Sequence, residues 1–133
     1  MKAVLADTSA LFALLVATDD NHARAARAFE RLAQRKVPLV TTNYVLVESY
    51  ALLARRVGIA AVRQFRASMQ PLLDVLWVDA ATHESALDLV LERPRSGISL
   101  VDAASFVVMR ASGIDDAFAY DRHFRTAGFR LVG

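Results

Sequence analysis

The chain has 133 residues, 55% hydrophobic and 23% charged, with a net charge of +2 at pH 7. This mix is too apolar for a disordered chain, and the length fits a single domain over residues 1–133 with no room for a second core. No cysteine is present, which excludes disulfide frameworks, thiolate metal sites and cysteine nucleophiles, and the cytoplasm is the expected location. In chain order, residues 2–6 read as a short buried strand, and Asp7, Thr8 and Ser9 offer capping side chains for an apolar helix to about residue 17. Asp7 falls in the middle of that apolar run. A charge there is costly in a membrane-inserted segment, so strand, turn and helix is the better reading than a signal peptide, and no other apolar stretch approaches a membrane span.

Asp19, Asp20 and Asn21 break the first helix and cap a second over about residues 22–35. It has an apolar stripe of Ala25, Ala26, Phe29, Leu32 and Ala33 beside a basic one of Arg24, Arg27, Arg31 and Arg35. Residues 38–42 read as a second strand opened by proline. Asn43 can cap a long helix to about residue 57, where Gly58 permits a break, and a further helix spans about residues 59–73. Residues 75–78 form a third strand and residues 80–92 a helix. Residues 93–97 form a loop by their proline and glycine content, and a helix follows from Ser99 to about residue 112. Residues 117–120 and 129–132 complete the strands. Short strands separated by helices predict an α/β fold of three layers, α/β/α, on a mostly parallel sheet of about five strands.

Ligands of an open parallel sheet bind beyond the carboxyl ends of its strands. Asp7 follows the first strand and Asp121 the fourth; each taken singly also serves as a helix N-cap. Glu48 has Tyr44, Val45, Ala51 and Leu52 at helical spacings of three and four, which puts a carboxylate on an apolar face. Such a group requires a partner, a proton or a cation, and a salt bridge to one of the many arginines is the plain alternative. Asp102 sits in Ser99-Leu100-Val101-Asp102, a capping-box pattern opening an apolar helix, so its end points towards the same crevice as Asp7. Four carboxylates gathered from four segments are unstable as bare anions and are relieved by protons or a divalent cation. With oxygen donors alone, Mg²⁺ is favoured over Zn²⁺, and Mn²⁺ is able to substitute.

These residues carry a resemblance. Asp7-Thr8-Ser9 after an opening strand, Glu48 within residues 43–53, Ser99-Leu100-Val101-Asp102-Ala103, and Asp121-Arg122-His123-Phe124 followed by Ala127-Gly128-Phe129 resemble the PIN-domain ribonucleases. Within that family the chain is most similar to the toxin subunits of VapBC-type toxin–antitoxin pairs, over nearly its whole length. The resemblance implies that Asp7, Glu48, Asp102 and Asp121 occupy the acidic quartet, with Thr8, Ser9 and Ser99 at the small polar positions beside it. It implies a metal-dependent endoribonuclease that hydrolyses RNA phosphodiester bonds, a cognate antitoxin as partner and a PIN-like fold. No member of the quartet is missing. Asp7 and Asp102 are the best candidates for direct ligands, Asp121 is next, and Glu48 is a ligand or a water-orienting base.

Of the 16 basic residues, 14 are arginine, which favours a phosphate-rich partner, although a coding sequence rich in G and C gives the same bias. Arg93, Arg95, Arg122 and Arg125 lie in segments expected to flank the acids and are candidate RNA contacts; solvated loop arginines are the alternative. His123 reads as a structural or substrate-side contact and not as a metal ligand. Phe12, Leu14, Leu15, Val45, Leu46, Leu53 and Leu72 exceed what one helix face needs. Core packing accounts for most of them, and the remainder can serve a homodimer or an antitoxin helix. Two other readings stay open. A phosphatase with an aspartyl nucleophile would want a second acid where Ser9 stands, and a non-catalytic RNA- or partner-binding module would keep the fold without cleavage.

Overall fold

The computed structural model describes residues 2–133. Its elements in order are β1 (Val4–Ala6), α1 (Thr8–Leu15), α2 (His22–Gln34), β2 (Leu39–Thr42), α3 (Asn43–Arg56), α4 (Ile59–Gln64), β3 (Asp74–Leu76), α5 (Ala80–Glu92), α6 (Leu100–Ser112), β4 (Asp116–Phe118), α7 (His123–Thr126) and β5 (Arg130–Val132). The five strands pair in the order β3-β2-β1-β4-β5, and every pairing is parallel. The mostly parallel sheet of about five strands that the sequence predicts is thus present, and among the described residues it is wholly parallel. After β1 the chain builds outward through β2 and β3, then returns to β1's other side with β4 and β5. The reversal falls between β1 and β4, and the crevice of such a sheet opens there, beyond the carboxyl ends of the strands.

β1 and β2 are buried along their whole length, so they read as unbroken apolar or threonine runs without alternation. Thr41 lies fully buried because its hydroxyl donates to the Ala6 carbonyl at 2.9 Å. One apolar cluster holds α1, α3 and the segment around Phe65, with Leu11, Val45, Leu53 and Phe118 at its centre. A second, on the other face, packs Phe106 edge-on to Phe124, with Leu5, Met109 and Phe129 around them. Val45, Leu46 and Leu53 are thus core residues and not interface candidates, whereas Leu72 is 56% exposed.

Several boundaries differ from expectation, each for a local reason. The helix expected over residues 59–73 ends at Gln64 and widens into a π turn over Phe65–Met69, then a 3₁₀ turn over Gln70–Leu72. Pro71 has no N–H to donate and its ring would clash with the carbonyl four residues back, so the regular ladder cannot run through it. The wider turn also seats Phe65 in the core, edge-on to Tyr50 at 4.9 Å. Thr42, not Asn43, caps α3 by accepting from the Val45 amide; the Asn43 side chain accepts from the Val78 amide at 2.7 Å. That bond takes Val78 out of the edge strand, and Trp77 turns outward to 74% exposure. No helix among the described residues is long and apolar enough to cross a membrane.

Candidate functional site

Asp7 leaves β1 with its amide bonded to the Phe118 carbonyl of β4 at 3.0 Å, one step beyond the last paired residues. There the ladder gives way to a side chain. Ser9 Oγ donates to Asp7 Oδ2 at 2.8 Å and accepts from the Tyr120 amide at 2.9 Å. This diversion ends β4 at Phe118, where the sequence predicts a strand to residue 120, and it fixes Asp7 against the residue preceding Asp121. Asp121 is therefore three residues past the strand and not directly on its end.

The other two acids arrive on helices. Asp102 opens α6 through the expected capping box: Ser99 Oγ accepts from the Asp102 amide at 3.1 Å, and Asp102 Oδ2 accepts from the Ser99 amide at 3.4 Å. Glu48 lies on α3, whose neighbouring Ser49 donates to Thr8 Oγ1 at 3.4 Å, while Thr8 donates to the Val45 carbonyl at 3.5 Å. These buried hydroxyls couple the start of α1 to the helix bearing Glu48. Glu48 itself is half-buried, less than its apolar neighbours predict, in a hollow lined by Tyr44, Val47, Ala51 and Val101. It forms no hydrogen bond or ion pair among the described residues, so the arginine salt bridge is not made.

The acids feel one another. Asp102 is the hub: its carboxyl is raised above the usual carboxylate range, first by burial and then by the negative charges of Asp121 and Glu48. Asp7, only 3% exposed, is pushed up to about 7, chiefly by burial, with the Asp102 charge adding to it and the Ser9 hydrogen bond opposing it. Asp7 Oδ1 is buried and has no hydrogen-bond partner. A desolvated carboxylate oxygen left unpartnered beside other acids is a costly arrangement that a bound cation would satisfy.

One oxygen or nitrogen each of Asp102, Asp121 and His123 lies within 4.8 Å of the others, a grouping able to hold a metal ion. His123, however, uses both ring nitrogens. Nδ1 is 2.7 Å from Asp121 Oδ1, and Nε2 is 3.2 Å from the Ser96 carbonyl. Facing an acceptor on each side, the ring suits an orienting partner for Asp121, as metal-site carboxylates commonly have. The Asp121 Oδ1 atom also accepts from the His123 amide at 2.9 Å, which opens the unpredicted single turn of α7. Sequence reading missed the clasp on Ser96, because it joins residues 27 positions apart. Gly97 adjoins it at φ +76°, a left-handed conformation for which the loop needs glycine.

The four candidate arginines are all exposed and divide into two places. Arg93 lines a cleft of about 300 Å³ with His123, Ser96 and Phe106, while Arg95 stands in the loop beside it. Arg122 and Arg125 line a different cleft with Tyr120.

Ser9→Ala is expected to cost about 1–3 kcal/mol, because it strips a buried carboxylate and a backbone amide of their shared partner. It should also raise the Asp7 carboxyl further, since the lost hydrogen bond is what lowers it. Urea unfolding and the carboxyl-carbon NMR titration of Asp7 check both, and unchanged values would show the hydroxyl to be idle.

The PIN domain family profile matches residues 4–130. The chain is 39% identical over 128 residues to the 23S rRNA-specific endonuclease VapC20 of Mycobacterium tuberculosis, covering 95% of each. The crystal structure of M. tuberculosis VapC20, described as a Sarcin-Ricin loop cleaving toxin, superposes with a TM-score of 0.82 over 96% of both chains at 37% identity. FitAcB from Neisseria gonorrhoeae shares the fold alone, with a TM-score of 0.72 at 14% identity, over 98% of this chain and 96% of that one. The chain belongs to the PIN domain family.

Proposed function

We propose that this protein is a metal-dependent endoribonuclease, the toxin of a toxin–antitoxin pair acting in the cytoplasm, with Asp7, Glu48, Asp102 and Asp121 as its catalytic carboxylates. The observation that carries the reading is the buried, unpartnered Asp7 Oδ1 beside a hub of mutually repelling acids that no guanidinium neutralises among the described residues. The donor set fits a hard divalent ion such as Mg²⁺ or Mn²⁺, held by Asp7 and Asp102 first, then Asp121 and Glu48. Bound there, the ion would supply polarisation of the scissile phosphate and a more acidic water.

The protein's own residues do the rest. Ser9 keeps one Asp7 oxygen occupied and leaves the other free to ligate. Ser99 holds the Asp102 carboxyl at the opening of α6, where the helix end favours its charge. His123 holds Asp121 through Oδ1 and leaves Oδ2 for a ligand or a water. Glu48, half-buried and unpaired among the described residues, takes the role of orienting a water or accepting its proton in this reading. Arg93 and Arg95, on the loop clasped by His123, are the first candidates to hold phosphates beside the scissile bond.

The relative's 23S rRNA specificity makes ribosomal RNA the first substrate to test; a cognate antitoxin and a second copy of the chain are the protein partners that belong to this reading. The purified chain should cut ribosomal RNA at a defined position in Mn²⁺ or Mg²⁺ and stop in EDTA, as read by primer-extension mapping. Binding without cleavage under every metal condition would favour the non-catalytic module instead.

A further inference from the structure

A second cleft, of about 350 Å³, lies beside the acid pocket on the β5 side, lined by Arg24, Tyr120, Arg122, Arg125 and Gly133 among others. Tyr120 and Arg122 flank Asp121 in the chain, so cleft and pocket adjoin. Arg24 is fixed in place. It donates to the backbone oxygen of Gly133 at 3.2 Å and to Asn21 Oδ1 at 3.3 Å, and its guanidinium lies 5.1 Å over the centre of the Tyr120 ring. Neither Arg122 nor Arg125 forms a side-chain hydrogen bond or ion pair among the described residues. The carboxylate whose charge reaches Tyr120, Asp19, accepts from the Asn21 amide and pairs with none of these arginines. Arg122 and Arg125, unpaired in one cleft, repel one another, and an anion between them relieves that repulsion.

The positive charge continues along α2. Arg24, Arg27, Arg31 and Arg35 recur at spacings of three and four, all exposed, along one side of the buried Ala25 and Ala28. Arg31 and Arg35 line a groove of about 220 Å³ with Val132 at the end of β5 and the following Gly133. The charges of Arg24, Arg31 and Arg27 all act on Tyr120, so the stripe begins where the cleft ends. Glu30, the one carboxylate of α2, pairs with none of them among the described residues.

We propose that this cleft and the α2 arginine stripe form one phosphate track, on which RNA extending from the acid pocket lies along the β5 edge of the sheet. The inference rests on the nuclease reading above and adds the path of the strand. At 1.5 Å per residue the stripe runs about 16 Å, enough for several successive phosphates. Arginine forks suit phosphate oxygens, and the track starts at Tyr120 and Arg122, the residues on either side of Asp121, so its occupant continues whatever phosphodiester sits among the carboxylates. An acidic protein segment would satisfy the charges but has no such continuity.

The test is the binding of a fluorescein-labelled RNA hairpin, in EDTA to prevent cleavage, to the full chain as salt is varied. The triple variant Arg27→Gln/Arg31→Gln/Arg35→Gln should lower the slope of log affinity against log salt by about 2–3. Arg55→Gln/Arg63→Gln/Arg66→Gln, which removes the same charge from exposed positions in other elements, should leave it nearly unchanged. Equal losses in both variants, or no loss in the first, overturn the track. Cleavage of the hairpin and of ribosomal RNA in Mn²⁺ is read in parallel on the wild type. Cleavage with an unmoved slope overturns the track alone; binding that follows the stripe with no cleavage supports the track and overturns the nuclease reading.

Discussion

Asp7→Asn is expected to yield a protein that, free of metal at pH 8, is more stable than its parent, yet cleaves RNA about three orders of magnitude more slowly or worse. Both halves come from one side chain. In the metal-free fold the Asp7 carboxyl is pushed up to about 7 from an ordinary 3.8, first because it is buried and then because Asp102 is near. Between about pH 4 and pH 7 the folded state therefore holds a proton that the unfolded chain has released, and stability falls as pH rises through that window. Above about pH 7 the fold carries the full penalty of a buried charge, at most about 4 kcal/mol at 1.36 kcal/mol per pH unit. An asparagine keeps an acceptor for the Ser9 amide and hydroxyl and removes the charge, so a gain of about 1–3 kcal/mol is expected at pH 8, with little at pH 4. Thermal melts across pH in EDTA read the gain, and a single-turnover cleavage assay in Mn²⁺ reads the loss. Asp102→Asn should lose cleavage likewise. Full activity in either variant would remove that acid from the site.

This balance between stability and charge explains why the acids could be picked out before their positions were known. Asp7 and Glu48 were visible because each broke a local rule, one inside an apolar run and the other on an apolar helical face, whereas Asp102 in its capping box and Asp121 after the fourth strand stood out only in combination with them. Local chemistry also gave the Ser99–Asp102 box in full, since both partners lie within one helical turn. What the sequence did not disclose is long-range. Ser9 replaces a rung of the β1–β4 ladder by reaching Tyr120, 111 positions away, and so shifts β4 and sets Asp121 back from the strand end. The π turn at Phe65 seats that ring edge-on to Tyr50 of α3, a contact across the core that the local sequence does not announce. The α2 arginines were legible as a stripe, but that the stripe meets Tyr120 and Gly133 follows only from β5 closing the sheet beside α2.

Metal addition should show the same proton from the other side. A protonated Asp7 cannot ligate, so an ion that uses the buried Oδ1 has to displace the proton held at about 7 in the metal-free protein. Asp102, also raised by burial and by Asp121 and Glu48, contributes in the same direction. Affinity for Mn²⁺ should therefore rise with pH up to about 7 and then level off. Calorimetry at pH 6 in two buffers of different ionisation enthalpy should count close to one proton released per ion or more, and clearly fewer at pH 8. Because the ion binds the folded state alone, it should also raise the melting temperature, by the equivalent of about 2.7 kcal/mol at a hundredfold excess over Kd. The rise should be larger at pH 8 than at pH 5, where protons compete for the same oxygens. Cleavage rate at subsaturating Mn²⁺ should follow the same limb and vanish in EDTA. Binding at pH 6 without proton release would mean that the ion does not engage Asp7, and the carboxylate grouping around Asp102 would then have to act without it.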